Sequence, residues 1–152
     1  MKQQQLKEEL FNHCKSQLAL RRATVDKILA NIAVSLKEET KSSAGDKHET
    51  GRAMLQLERE NAGKQLAEIE KLEATLQRVS SQVSSGPVHL GNVVMTSQYN
   101  YFISIPSGQI TVDNINFFAI GATSPIGQSL LSKEEGDEVR FRESVITINS
   151  IF

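Results

Sequence analysis

Gly45-Asp46-Lys47-His48-Glu49 contains the first glycine of the chain and stands between two long stretches whose apolar residues recur at helical spacing. On its N-terminal side Leu6, Leu10, Cys14, Leu18, Val25, Ile28, Ile32 and Leu36 form one stripe, with neither proline nor glycine among them. That pattern predicts a single long amphipathic helix. On the C-terminal side Leu55, Ala62, Leu66, Ile69, Leu72, Leu76, Val79 and Val83 form a second stripe, and from Ile69 onward the steps alternate three and four as in a heptad seam. Two such stripes joined by a short turn pack antiparallel. Arms of about 30 to 35 residues at about 1.5 Å rise per residue make a hairpin about 50 Å long. Its tip carries two carboxylates, Asp46 and Glu49. A hairpin has no cleft in which to do chemistry, so an acidic tip reads as a probe inserted into a partner.

Ser80-Ser81-Gln82-Val83-Ser84-Ser85-Gly86-Pro87 ends the second helix, since serines compete for backbone hydrogen bonds and glycine followed by proline stops helical propagation. Beyond it the period changes. Segments rich in β-branched and aromatic residues predict strands at Val93 to Thr96, Tyr99 to Ile105, Gln109 to Val112, Phe117 to Ile120, Val139 to Phe141 and Val145 to Ile151. Ser107-Gly108 and Asp113-Asn114 read as turns between them. Ser124-Pro125-Ile126-Gly127-Gln128-Ser129-Leu130-Leu131 breaks the β pattern: Ser124 is a helix cap and Pro125 suits the first helical position, so a short helix is expected against the sheet. Glu134 to Glu138 reads as an acidic, solvated turn. The fold class is therefore α+β: a hairpin over residues 1–84 with its acidic tip at 45–49, a linker at 85–87, and a small antiparallel β domain with one short helix over 88–152.

Composition excludes several classes. The 152 residues carry a net charge of −1 and are 39% hydrophobic, enough for a modest core. Residues 1–84 hold 14 Lys+Arg against 12 Asp+Glu, and residues 85–152 hold 3 against 6, so neither part has the basic footprint of a nucleic-acid clamp. No apolar run approaches the roughly 20 residues of a membrane span, and Met1-Lys2-Gln3-Gln4-Gln5 leads into a charged helix rather than a signal-peptide core. A cytoplasmic protein without membrane contact is expected. The single cysteine, Cys14, forms no intrachain disulfide and reads as a buried structural residue.

At these residues the chain resembles the Gre family of bacterial transcript-cleavage factors. Gly45-Asp46-x-x-Glu49 is similar to the acidic tip motif between that family's two coiled-coil helices. Ser124-Pro125-Ile126-Gly127, followed by Leu130-Leu131-Ser132-Lys133-Glu134-Glu135-Gly136-Asp137-Glu138-Val139, is similar to its Ser-Pro-Ile, Leu-Ile-Gly-Lys and Gly-Asp-x-Val pattern, and is the more specific match because the identities fall in order. The resemblance implies an FK506-binding-protein-like fold (FKBP-like) for residues 88–152, used for docking on RNA polymerase through Ser124, Pro125 and Ile126. It also implies a hairpin that enters the polymerase's secondary channel and stimulates Mg²⁺-dependent cleavage of nascent RNA in stalled complexes. After Glu49 the sequence runs Thr50-Gly51-Arg52-Ala53, where the family usually has Asn-Ala-Glu-Tyr. Gly51 costs a helix about 1 kcal/mol relative to alanine.

The chemistry so implied needs a second Mg²⁺ beside the polymerase's own, and Mg²⁺ takes hard oxygen ligands while keeping most of its waters. Asp46 and Glu49 are the expected catalytic and metal-binding carboxylates, acting only within the polymerase active site. The free protein is expected to carry no cofactor and to be no enzyme by itself. Lys41, Lys47 and Arg52 are near enough in sequence to the tip to steer RNA phosphates. The expected partners are RNA polymerase, nascent RNA indirectly and DNA through a weak contact, with the chain itself monomeric. The same residues admit plainer readings. Asp46 and Glu49 at a helix start also form a capping box, and Ser124-Pro125 also simply starts a helix. The alternatives for function are a secondary-channel regulator of polymerase that does not promote cleavage, a stand-alone prolyl isomerase or chaperone, and a structural coiled coil. The absence of tryptophan speaks against the isomerase, whose substrate pocket wants several aromatic residues.

Overall fold

The computed structural model describes the backbone of residues 2–41 and 45–152, and the side chains of residues 2–39 and 50–152. Its elements in chain order are α1 (Lys2–Lys41), α2 (Gly45–Gln77), β1 (Val93–Thr96), β2 (Asn100–Ser104), β3 (Gly108–Val112), β4 (Ile115–Gly121), α3 (Pro125–Leu130), β5 (Glu138–Phe141) and β6 (Ser144–Ile151). They form two compact units, one of Leu18–Glu73 and one of Met1–Gln17 with Ala74–Phe152. Residues 85–87 fall inside the second of these, together with the first turns of α1.

The unit Leu18–Glu73 is a two-helix hairpin. Leu18, Val25 and Ile32 of α1 and Ala62 and Ile69 of α2 are buried at seven-residue intervals, as an intramolecular coiled-coil seam requires. The helices run antiparallel. Arg22 Nη1 donates to Glu73 Oε1 at 2.5 Å, whereas Glu39, seventeen residues later, lies against Gly51. Ile28, expected in the stripe, is 41% exposed, and Leu29 is half-buried in its place. After Val25 the seam advances by four residues and then three, which keeps a 3.6-residue helix facing its partner.

The other unit is built on a six-stranded sheet of order β3-β4-β2-β1-β6-β5. Each of the six predicted strands is present, within three residues of its expected ends. Among the described ladders β2 and β4 pair in parallel, Asn100 opposite Phe117 through Ser104 opposite Gly121, and the others are antiparallel. Asp113 and Asn114, with φ of 51° and 62°, make the two-residue turn that closes the β3–β4 hairpin. One face of the sheet carries Val94, Tyr101, Ile103, Ile146 and Ile148, against which α3 buries Leu130.

Alternation along β2 sends Phe102 and Ser104 to the opposite face, where Cys14 of α1 is fully buried with Sγ 3.8 Å from Ser104 Oγ. Burial pushes the Cys14 thiol pKa up, partly offset by the Ser104 and Ser107 hydroxyls. The start of α1 is held by the segment that follows α2. Gln4 Nε2 donates to the Ser81 carbonyl and its Oε1 accepts from Val83 N, each at 2.9 Å, and the buried Lys7 Nζ donates to the Gln82 carbonyl at 2.6 Å. Helix α2 itself stops at Gln77, before the serines. Its last turn tightens through i to i−3 bonds from Arg78 and Val79, so the heptad seam expected as far as Val83 ends early, and Val83 is 41% exposed. Asn92, fully buried, joins this connection to the sheet: its side chain accepts from His89 N at 2.7 Å and donates to Ser84 Oγ and to the Phe152 carbonyl.

Candidate functional site

Helix α2 begins at Gly45, so Asp46 and Glu49 belong to its first turns. The side chains of Asp46 and Glu49, with those of Lys41 and Lys47, lie outside the described residues, and both the metal-ligand and the capping reading fall there with them. Arg52 is described and exposed. Gly51 has a local role: a Cβ at this position would stand 2.8 Å from Glu39 Oε1, so the missing side chain lets the Glu39 carboxylate lie on the helix backbone.

The Ser124-Pro125-Ile126-Gly127 stretch opens α3 as its sequence predicts. Ser124 has extended backbone angles (φ −64°, ψ 157°), its Oγ accepts from Gly127 N at 3.1 Å and donates to the Gly121 carbonyl at 2.7 Å, and Pro125 occupies the first helical position. Ile126 is half-buried against the core of the sheet. Gly127 is required, because a Cβ there would collide with the Gly121 carbonyl and sit 2.9 Å from Ser124 Oγ. The stretch is thus a tight junction between the end of β4 and α3, with Pro125 on the exposed side.

The acidic turn is held by hydrogen bonds within itself and by others to β6. Asp137 Oδ2 accepts from Glu134 N at 2.8 Å, Glu135 Oε1 accepts from Ile151 N at 3.0 Å, and Gly136 takes φ of 87°. Among the described residues no group of three or more His, Cys, Asp or Glu is placed to hold a metal ion.

A concave site that no motif announced lies in the same unit. Gln98, Tyr99, Tyr101, Phe141, Arg142, Ser144 and Ile146 line a cleft of about 590 Å³ at the β5–β6 end of the sheet face. Tyr99 meets Phe118 edge to face at 5.5 Å between centroids, Tyr101 lies 6.4 Å from the same ring, and the Arg142 guanidinium stands 5.0 Å over Phe141. Desolvation, with Tyr99 adding to it, raises the Tyr101 phenol pKa. The domain has no tryptophan, and the aromatic part of this cleft is supplied by Tyr99, Tyr101 and Phe141. Its contributors fall at residues 98–101 and 141–146, and the readable signal was Tyr99 and Tyr101, two apart in the strand expected over Tyr99 to Ile105.

No family model and no curated protein matches the chain. Among solved structures it is similar to that of the transcription factor Gfh1, at 17% identity over 93% of this chain and 92% of the other, with a TM-score of 0.34. At that score the likeness adds no argument to those made from the residues. No helix among the described residues is long and apolar enough to cross a membrane.

Proposed function

We propose that this chain is a Gre-type transcription elongation factor, which binds RNA polymerase, inserts the turn between α1 and α2 into the secondary channel and stimulates cleavage of nascent RNA in stalled complexes. The observation that carries the reading is the Gly45-Asp46-x-x-Glu49 stretch at the start of α2, in a chain whose Ser124-Pro125-Ile126-Gly127 stretch forms a rigid, partly exposed junction on a sheet domain. Asp46 and Glu49 are hard oxygen donors and so fit Mg²⁺, which they would hold together with the polymerase's own ligands. When bound, that ion supplies charge neutralisation for phosphodiester hydrolysis. The chain's own residues then have three tasks: Ser124, Pro125 and Ile126 dock, the paired helices carry the carboxylates, and Lys41, Lys47 and Arg52 attract RNA phosphates. The factor has no hydrolase activity alone.

A second reading, a channel-occupying regulator that does not promote cleavage, is favoured by one observation. Arg52 is an exposed cation where the resembled pattern has an acid, and it follows a glycine that already accommodates the Glu39 carboxylate. The test is to add the chain to a stalled elongation complex of its cognate RNA polymerase containing 5′-labelled RNA. The first reading predicts Mg²⁺-dependent shortening from the RNA 3′ end, absent when the chain meets RNA without polymerase. Binding with intact RNA overturns it in favour of the second.

A further inference from the structure

We propose that the cleft between Tyr101 and Phe141 is a peptide-binding site that takes an aromatic or aliphatic side chain flanked by a carboxylate. The inference goes beyond the reading of the hairpin, and none of Ser124, Pro125 and Ile126 lines the cleft.

The cleft is of ligand size, since pockets for small ligands and anchor side chains span about 300 to 1,000 Å³. Its walls supply two kinds of recognition. The rings of Tyr99, Tyr101 and Phe141 with Ile146 give an apolar surface that an inserted side chain would remove from water. The polar groups then decide what may accompany that side chain. Tyr101 lines the cleft with its ring largely buried, and among the described residues its hydroxyl has no protein hydrogen-bond partner, which leaves it available to a ligand. Arg142 has no carboxylate partner among the described residues, and its guanidinium rests on the face of Phe141 at the cleft wall.

Arg142 also occupies the first position of the two-residue β5–β6 turn at φ of 58°, a region that glycine enters freely and arginine does not. The chain keeps a long cation at a turn position that would fold more easily without a side chain. One guanidinium, presented on an aromatic ring and bordered by Gln98 and Ser144, matches one carboxylate in charge and in its forked geometry. It does not match a polyanion: residues 85–152 hold 3 basic against 6 acidic residues, so a nucleic-acid backbone would be repelled.

The experiment uses the full chain with ¹³C-labelled tyrosine and phenylalanine rings, titrated with acetyl-Gly-Phe-Asp-Gly-amide and with its neutral counterpart acetyl-Gly-Phe-Asn-Gly-amide. The expected result is saturable shifts of the Tyr99, Tyr101 and Phe141 rings by the aspartyl peptide, with about tenfold weaker binding of the asparaginyl peptide. Arg142→Gly, which the turn's φ accommodates, should keep the fold and abolish the difference between the peptides. Asp46→Ala should leave the titration unchanged, which separates failure here from failure of the hairpin reading. Absence of ring shifts, equal binding of the two peptides, or displacement of the peptide by a hexauridylate that depends on Arg142 would overturn the proposal.

Discussion

The carboxylate of Glu39 lies against the backbone of Gly51, so close that a methyl group at position 51 would stand 2.8 Å from Glu39 Oε1. The atom in the way is the far end of a flexible side chain rather than backbone. Gly51→Ala also recovers about 1 kcal/mol of helix propensity. The variant should therefore gain about 0.5 to 1 kcal/mol in urea unfolding. A loss of stability would mean that the Glu39 position is held by more than space.

Gly127 is the opposite case, because the obstacle there is backbone. A Cβ would meet the Gly121 carbonyl, which cannot move without shifting the end of β4. Gly127→Ala should cost about 2 to 3 kcal/mol. Ser124→Ala, which removes the cap from the same junction, should cost about 1 kcal/mol. Should Gly127→Ala unfold at the same urea concentration as the parent, the close approach of α3 to β4 is not a constraint.

Lys7 is 1% exposed, and burial lowers its pKa from the ordinary 10.5. The unfolded chain then holds this proton more tightly than the folded one. The penalty for burying the ammonium is fully present below the folded pKa and is relieved as pH rises toward 10.5. Compared with Lys7→Met, the parent protein should gain stability as pH climbs through that window. Measured from pH 8 to 10.5, two parallel stability curves would contradict the assignment.

The sequence made much of this fold legible, and for identifiable reasons. The six strands were readable because β-branched and aromatic runs are separated by turn residues such as Asp113-Asn114, and the hairpin because two apolar stripes flank Gly45. The parallel pairing of β2 with β4 was not readable, since it depends on how the β3–β4 hairpin folds back over β2 rather than on any local pattern. The end of α2 at Gln77 was missed because the apolar spacing runs on to Val83, while Gln4 and Lys7 capture the backbone of Ser81 to Val83 from another helix. Burial of Lys7 was hidden for the same reason: a lysine reads as solvated until its carbonyl partner is known. At the site level the α3 junction was legible from Ser124 and Pro125. The aromatic cleft was legible only in Tyr99 and Tyr101, because its lining joins two stretches, 98–101 and 141–146, that only the tertiary fold brings together.

The central claim is that the two carboxylates at the start of α2 act on RNA held by the polymerase. Its most direct test compares the parent chain with an Asp46→Asn, Glu49→Gln double variant in a stalled elongation complex, recording polymerase binding and RNA 3′-end shortening in the same samples across a Mg²⁺ titration. The account predicts that the parent shortens the RNA, and that the variant binds as tightly but slows cleavage by at least about a hundredfold, the size of effect that loss of one transition-state contact produces. Equal cleavage by parent and variant would contradict it.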